Sequence, residues 1–152
     1  MSFLRRLFGG ETAEEGPPPP SGAPAEPVVV DDVEGTLAEH AGRLIERPEL
    51  EFLIVEWDAP RGLYVRFAPT EGGGLNGEAV GDRYLEPRHR LREAQRAALL
   101  GLGWREAPTS GNWERTWPPG TEPTAIASVC SQTMEVYGMQ PRPRWTITFG
   151  AD

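Results

Sequence analysis

The alternation of apolar and polar residues predicts a β-hairpin near the middle of the chain. Residues 51–69 read EFLIVEWDAPRGLYVRFAP, with apolar residues at every second position on both sides of a short polar segment. Pro60 fixes φ and Gly62 permits a positive φ, so residues 58–62 form the predicted turn. The first strand is apolar on both faces and the second on only one. We therefore expect the first strand to lie deeper in a sheet that has helices against it.

Helical spacing of apolar residues predicts three helices around this hairpin. The first follows the capping aspartates 31–32 and ends before Pro48. The second begins at Pro87 and ends near Gly101, and the third covers residues 123–137. Together they supply the cover that the hairpin requires.

Three further segments have the character of strands. Residues 78–84 form a predicted third strand, in which nearby glycines indicate a sheet edge or a bulge. Residues 112–117 and 144–149 alternate at period two. In the segment 112–117, Arg115 falls between two tryptophans on one face, so we expect it at the core boundary, stacked on an indole.

Residues 1–27 differ from the rest and form a predicted arm. Residues 9–27 contain four consecutive prolines and no apolar periodicity, which predicts a disordered linker. Residues 28–152 are the predicted folded domain. The first eight residues are either a frayed terminus or a docking peptide for a partner or a membrane surface. The candidate docking residues share one stripe at helical spacing: Phe3, Leu4, Leu7 and Phe8.

The amino-acid composition of the chain argues against several classes of function. With 23 acidic and 15 basic residues the formal charge is −8, which argues against nucleic-acid binding because phosphate contacts require a basic surface. The single cysteine, Cys130, excludes an intramolecular disulfide and a cysteine-based zinc site, and it lies on an apolar helical stripe as a core residue would. No apolar run approaches the roughly 18 residues of a membrane span. We expect a soluble cytoplasmic protein without cofactor, metal or stable membrane insertion.

The chain carries none of the common catalytic motifs. It has no Gly-x-Ser-x-Gly elbow, His-Glu-x-x-His helix, Cys-x-x-Cys pair or dinucleotide-binding glycine fingerprint. The alternative of an enzyme of unrecognised type would use a polar pocket near Glu114 and Arg115, or His40. The residue pattern favours a non-enzymatic protein.

Aromatic residues and a weak sheet edge favour peptide binding instead. Five tryptophans and an edge strand suit capture of a peptide by strand addition or in a shallow apolar groove. A few aromatic anchors commonly carry most of the energy of such an interface. The candidate peptide-binding residues combine the less apolar face of the hairpin with aromatics near loops: Tyr64, Arg66, Tyr84, Trp104 and Trp113.

The order of elements and several short motifs resemble a known family. FLIVEW, YVRFA, GEAVGDRYL, a helix ending LGW, then NWERTW and a helix ending EVYG resemble the TY-Chap proteins, actinobacterial relatives of type III secretion chaperones and of YbjN-like proteins. The similarity runs from about residue 32 to residue 138. The resemblance implies an α+β fold with an antiparallel sheet covered by helices. The family has no catalytic residues that could be assigned to positions of this sequence.

The same resemblance implies a role as a peptide-binding chaperone or adaptor. Its partner would be a protein or peptide client, in a setting such as a secretion or toxin system. The last strand, after Tyr137, lies outside the family pattern, which leaves its placement and a homodimer through a sheet edge open.

Overall fold

One antiparallel sheet and three α-helices form the fold of residues 26–150, the part of the chain that the computed structural model describes. The strands are β1 (Val28–Val29), β2 (Phe52–Asp58), β3 (Leu63–Pro69), β4 (Leu75–Ala79), β5 (Arg105–Glu106), β6 (Trp113–Trp117) and β7 (Arg144–Gly150). The helices are α1 (Val33–Glu46), α2 (Glu93–Gly101) and α3 (Pro123–Val136). The strands lie in the order β1-β7-β2-β3-β4-β6-β5, which confirms the α+β prediction.

The central hairpin is confirmed. β2 and β3 pair with Val55 opposite Val65, and residues 59–61 between them form one 3-10 turn. The Asp58 carboxylate accepts a hydrogen bond from the Arg61 amide at 3.2 Å, and Gly62 closes the turn at φ 70°. β2 lies between β3 and β7, and its side chains are buried on both faces, as expected from its apolar sequence.

The helices pack on one face of the sheet, which we call the helix face. α1 begins at Asp32, whose carboxylate accepts from the Gly35 amide at 2.9 Å, and it packs against α3. Residues of β2 and β3 point toward these helices at alternate positions, and the ring of Trp57 meets Tyr137 edge-on at 5.7 Å. The sheet side chains that form the helix face are Leu53, Val55, Trp57, Val65, Phe67, Ala79, Trp113, Trp117, Ile147 and Phe149.

Indole rings fill the core beneath α3. The Trp104 ring nitrogen donates to the Thr133 hydroxyl at 2.8 Å, and Trp104 meets Trp117 edge-on at 6.0 Å. The Arg115 guanidinium lies 4.6 Å from the centre of the Trp117 ring, which confirms the stacking expected from the sequence. Gly77 has no side chain because the Trp117 ring lies directly over it: a Cβ at Gly77 would come within 2.7 Å of that ring.

Four elements differ from the sequence prediction. The third strand covers 75–79 rather than 78–84, because Gly77 pairs inside the sheet and residues 82–84 form a 3-10 turn. α2 begins at Glu93 rather than Pro87, since residues 87–89 form a separate 3-10 turn. The two-residue strands β1 and β5 were not predicted, because two residues are too few to show a period.

Candidate functional site

The face of the sheet opposite the helices is the candidate site, and we call it the outer face. Strand register places Ile54 opposite Arg66 on one side and Thr148 on the other, and it places Glu56 between Tyr64 and Thr146. The side chains of the outer face come from five strands: Phe52, Ile54, Glu56, Tyr64, Arg66, Ala68, Asn76, Glu78, Glu114, Thr116, Thr146 and Thr148.

The outer face combines an apolar centre with carboxylates. Ile54 and Phe52 are buried, whereas the flanking Arg66 and Thr148 are half-buried. Burial raises the pKa of the Glu56 carboxyl, and the nearby charge of Asp58 raises it further. Such a surface can pair with apolar side chains and with a cation, and it contains no arrangement of nucleophile and base.

A buried polar cluster closes one end of the outer face. Asn112 is fully buried, and its amide nitrogen donates to the Glu78 carboxylate at 2.9 Å and to the Tyr64 hydroxyl at 3.4 Å. The Asn112 side-chain oxygen accepts from the Gly81 amide at 2.8 Å. A Cβ at Gly81 would lie 1.7 Å from the Gly111 carbonyl oxygen, so the two loop backbones approach too closely for any side chain there. Asn112 therefore holds the loop after β4 against the loop before β6.

The sequence-predicted peptide contacts fall into two groups. Tyr64 and Arg66 lie on the outer face, and Tyr84 lies beyond the end of β4, where its hydroxyl donates to the Ser110 carbonyl at 2.8 Å. Trp104 and Trp113 lie instead in the core on the helix side, at 0% and 2% exposure. The exposure expected for these two indoles is therefore not found. Trp113 faces the helices because it pairs with Ala79.

Sequence reasoning missed several residues of the outer face. Glu78 and Thr148 reach it only through the register of β4 and β7, and Asn112 reaches its end from the loop before β6. The one signal in the sequence was the asparagine between Gly111 and Trp113, a residue type that can satisfy several backbone groups where two loops meet. The threonines of β7 alternate with apolar residues but carry no sign of which strand lies beside them.

Both edges of the sheet are only partly covered within residues 26–150. β1 pairs with Arg144 and Trp145 alone, so the outer edge of β7 from residue 146 onward has no described strand beside it. On the other edge, β5 pairs only with Trp113 and Glu114. A row of backbone amides and carbonyls along β7 can accept an added strand.

The residues named for an enzyme do not converge. Glu114 is exposed on the outer face, whereas Arg115 points to the helix side, where its Nε donates to the Leu102 carbonyl at 2.8 Å. A cavity of about 490 Å³ beside β5 is lined by residues 105–110 and Glu114 and does not include Arg115. His40 Nδ1 lies 2.8 Å from the Thr36 carbonyl oxygen, and the ring stacks on Phe149 at 5.6 Å. The Arg115 and His40 side chains thus make local contacts, and the exposed Glu114 carboxylate points to the opposite side of the sheet from Arg115.

Cysteine and metal chemistry have no geometric support in the described range. Burial raises the pKa of the Cys130 thiol well above its ordinary value, so the sulfur is held as an unreactive core atom. Residues 26–150 contain no group of three or more His, Cys, Asp or Glu side chains placed to hold a metal ion. No helix in the same range is long and apolar enough to cross a membrane.

The predicted arm of residues 1–27 is described only at its end. The candidate docking residues Phe3, Leu4, Leu7 and Phe8 lie outside residues 26–150, as does most of the proline-rich linker. The described chain enters the sheet at β1, on the edge next to β7.

Comparison with known protein families identifies a family for this chain. A family model described as TY-Chap3, T3SS (YopN, CesT) and YbjN peptide-binding chaperone 3, matches residues 31–145, which include all three helices, strands β2 to β6 and the first two residues of β7. Neither a curated protein nor a solved structure matches.

Proposed function

This chain belongs to the TY-Chap3 family of T3SS and YbjN peptide-binding chaperones, and on that premise we propose that it is a non-enzymatic chaperone or adaptor for a segment of a partner protein. The client binds on the outer face and along the adjoining edge of β7. The family match supports peptide binding. The position of the site is our inference from the fold.

One structural observation carries the assignment of the site. α1, α2 and α3 lie on the helix side of the sheet. The outer face is therefore the large sheet surface that none of the described helices covers. It carries apolar side chains at its centre and half-buried polar ones around them, as peptide-binding surfaces do.

The edge of β7 provides the backbone contacts of the proposed mode. An extended segment beside residues 146–149 would continue the sheet past β1 and gain main-chain hydrogen bonds. Its alternate side chains would turn toward Thr146 and Thr148 on the outer face, and toward Phe149 and His40 on the helix side. The backbone hydrogen bonds would supply affinity, and these side chains would supply selectivity. This combination suits a chaperone that holds one region of its client.

The five peptide contacts predicted from the sequence have different roles in this proposal. Arg66 and Tyr84 are half-buried and can meet a client at the outer face and at its loop end, respectively. Tyr64 contributes from a buried position beside Asn112. Trp104 and Trp113 support the sheet from the other side. The proposed setting is cytoplasmic, with a client from a secretion or toxin system.

A peptide library tests the proposal on the full chain. Peptides that bind the wild-type protein are selected from an immobilised library, and their dissociation constants are measured by fluorescence anisotropy. Thr148→Arg places a long charged side chain on the outer face beside the β7 edge, and we expect it to weaken binding by about tenfold or more, the effect of losing a contact at the centre of an interface. Leu100→Arg, on the exposed side of α2, is the matched control and should bind as the wild type does.

Equal binding by both variants would remove the outer face from the proposal. Loss of binding in Leu100→Arg alone would move the site to the helix side of the molecule. A circular dichroism spectrum of each variant establishes that the comparison is made between folded proteins.

A further inference from the structure

Two apolar side chains of the outer face are buried as deeply as the core. Ile54 is 1% exposed and Phe52 is 5% exposed, whereas Tyr64 and Glu78 are covered at least in part by the bonded Asn112. The helices α1–α3 cover the other face, and the strand neighbours of Ile54 on its own face are Arg66 and Thr148. A side chain in the middle of a sheet face reaches such burial when a second layer lies over it. A second layer over Ile54 and Phe52 is therefore expected, and none of the α-helices of residues 26–150 lies on that side to form it.

The chemistry of the outer face defines what can cover it. The apolar centre of Phe52, Ile54 and Tyr64 calls for apolar side chains. The carboxylates of Glu56 and Glu114 lie on the same face, and the raised pKa of Glu56 reflects a carboxyl that is already withdrawn from water. A short amphipathic segment with positive charge is the complementary partner.

The first eight residues of this chain have that composition. MSFLRRLF contains four large apolar residues on one helical stripe, with Arg5 and Arg6 between them and no acidic residue. The chain as a whole has a formal charge of −8, so this basic apolar segment stands out against it. Such a segment can place its apolar stripe over Ile54 and its arginines near the carboxylates.

The connection permits this contact in cis. Residues 9–27 lead into β1, which pairs with β7, and β7 pairs with β2, which carries Ile54. Two strand spacings, about 10 Å, separate β1 from β2. A chain of 19 residues spans about 25 Å as a random coil and up to about 60 Å as extended polyproline II at roughly 3.1 Å per residue, and either length exceeds this separation. Residues 1–8 can therefore reach the outer face of their own molecule.

We propose that residues 1–8 bind the outer face of the same chain as a built-in pseudo-client, which an incoming client displaces. The proposal rests on the proposed function in one respect, that the client uses the same face. Docking of residues 1–8 is otherwise independent of any client. The device keeps an apolar peptide-binding surface covered until a segment of higher affinity arrives.

Disulfide trapping tests the docking in the full chain. Leu4→Cys is combined with Thr148→Cys on the outer face, and the matched control combines Leu4→Cys with Leu100→Cys on α2. The native Cys130 is fully buried and does not compete. Under mild oxidation we expect the Thr148 pair to form a monomeric intramolecular disulfide, seen by mass spectrometry, at a yield at least about tenfold above the control. The tether gives both pairs a millimolar effective concentration, and docking raises it further at residue 148 alone.

Two outcomes of the trapping would overturn the proposal. Similar yields in the two pairs mean that residues 1–8 have no preferred position. Disulfide-linked dimers in place of the monomeric product mean that the outer face is covered by a second copy of the chain.

Competition with a free peptide tests the displacement. The probe is a labelled synthetic peptide MSFLRRLF, added to the full-length protein. Phe3→Glu with Leu7→Glu disrupts the apolar stripe in cis, so we expect the probe to bind this variant at least about tenfold more tightly than the wild type, because the internal competitor is removed. Thr12→Glu with Ala13→Glu adds the same charge within the linker and should leave the affinity at the wild-type value.

The failures of the two proposals are distinguishable. If the stripe variant binds the probe and the selected client peptides no better than the wild type does, while Thr148→Arg still weakens client binding, then self-blocking is wrong and the proposed function stands. If Thr148→Arg leaves client binding unchanged while the intramolecular disulfide forms, residues 1–8 dock as proposed and the client site lies elsewhere.

Discussion

The buried amide of Asn112 donates to the Glu78 carboxylate at 2.9 Å, between residues that are 34 positions apart in the chain. This contact joins the end of β4 to the loop before β6 at the rim of the outer face. Both side chains are buried, so this hydrogen bond replaces one that each group would otherwise make with water.

Replacing Asn112 tests the importance of this contact for stability. Asn112→Ala removes a partner of the Glu78 carboxylate and of the Gly81 amide, both of which remain buried, so we expect the free energy of unfolding to fall by about 2–3 kcal/mol. Urea denaturation measures the change. Asn76→Ala is the control, because its bond to the Thr116 hydroxyl is exposed, and it should cost about 0.5 kcal/mol. A loss in Asn112→Ala no larger than in the control would show that water satisfies the cluster.

A glycine pair tests the packing of the indole core. Gly77→Ala would place a methyl group 2.7 Å from the Trp117 ring, and overpacking of this kind costs about 1–3 kcal/mol. Gly101→Ala meets no atom within 4 Å at the end of α2 and should be neutral or stabilise by up to about 1 kcal/mol. The thermal unfolding temperature should therefore fall in Gly77→Ala and not in Gly101→Ala, and an equal fall in both would contradict the packing described.

The bond between Trp104 and Thr133 can be measured by a double-mutant cycle. Trp104→Phe removes the indole N–H and Thr133→Val removes the hydroxyl that accepts it. We expect each single change to destabilise the protein and the coupling energy between them to be about 0.5–1.5 kcal/mol. A coupling energy near zero would mean that the 2.8 Å contact contributes nothing beyond the packing of the ring.

Glu56 should make stability depend on pH in the acidic range. Its folded-state pKa is raised above the ordinary value of 4.5, so the folded state binds this proton more tightly than the unfolded chain does. The stabilising contribution is complete below about pH 4.5 and is lost as pH rises through the folded pKa.

The variant Glu56→Gln isolates this contribution. It removes the carboxyl, so the difference in unfolding free energy from the wild type should move in favour of the variant as pH rises from 4 to 7. Glu135→Gln, on the exposed surface of α3, serves as the control and should show no such trend. A Glu56→Gln difference that stays constant across this range would mean that Glu56 is solvated in the folded protein.

The prediction for Trp113 shows what the local residue pattern determines and what it does not. Period-two alternation placed Trp113, Arg115 and Trp117 on one face of a strand, which is confirmed, but alternation alone does not say which face meets the helices. That choice follows from pairing with β4, which puts Ala79 and Gly77 beside the indoles. The indoles are consequently core residues, and we expect Trp113→Ala to cost about 3–5 kcal/mol, measured by urea denaturation.

The sequence by itself determined the three helices, the central hairpin, the strand character of most of the sheet and the family, because each is written in local periodicity, turn residues and short motifs. Only the tertiary structure decided that β7 inserts between β1 and β2, that the helices share one face, and that Asn112 reaches Glu78. The physical reason is that strand order and register depend on contacts between distant segments. Backbone hydrogen bonds are nearly the same for any pairing, so the sheet is fixed by the burial of side chains that lie far apart in the chain.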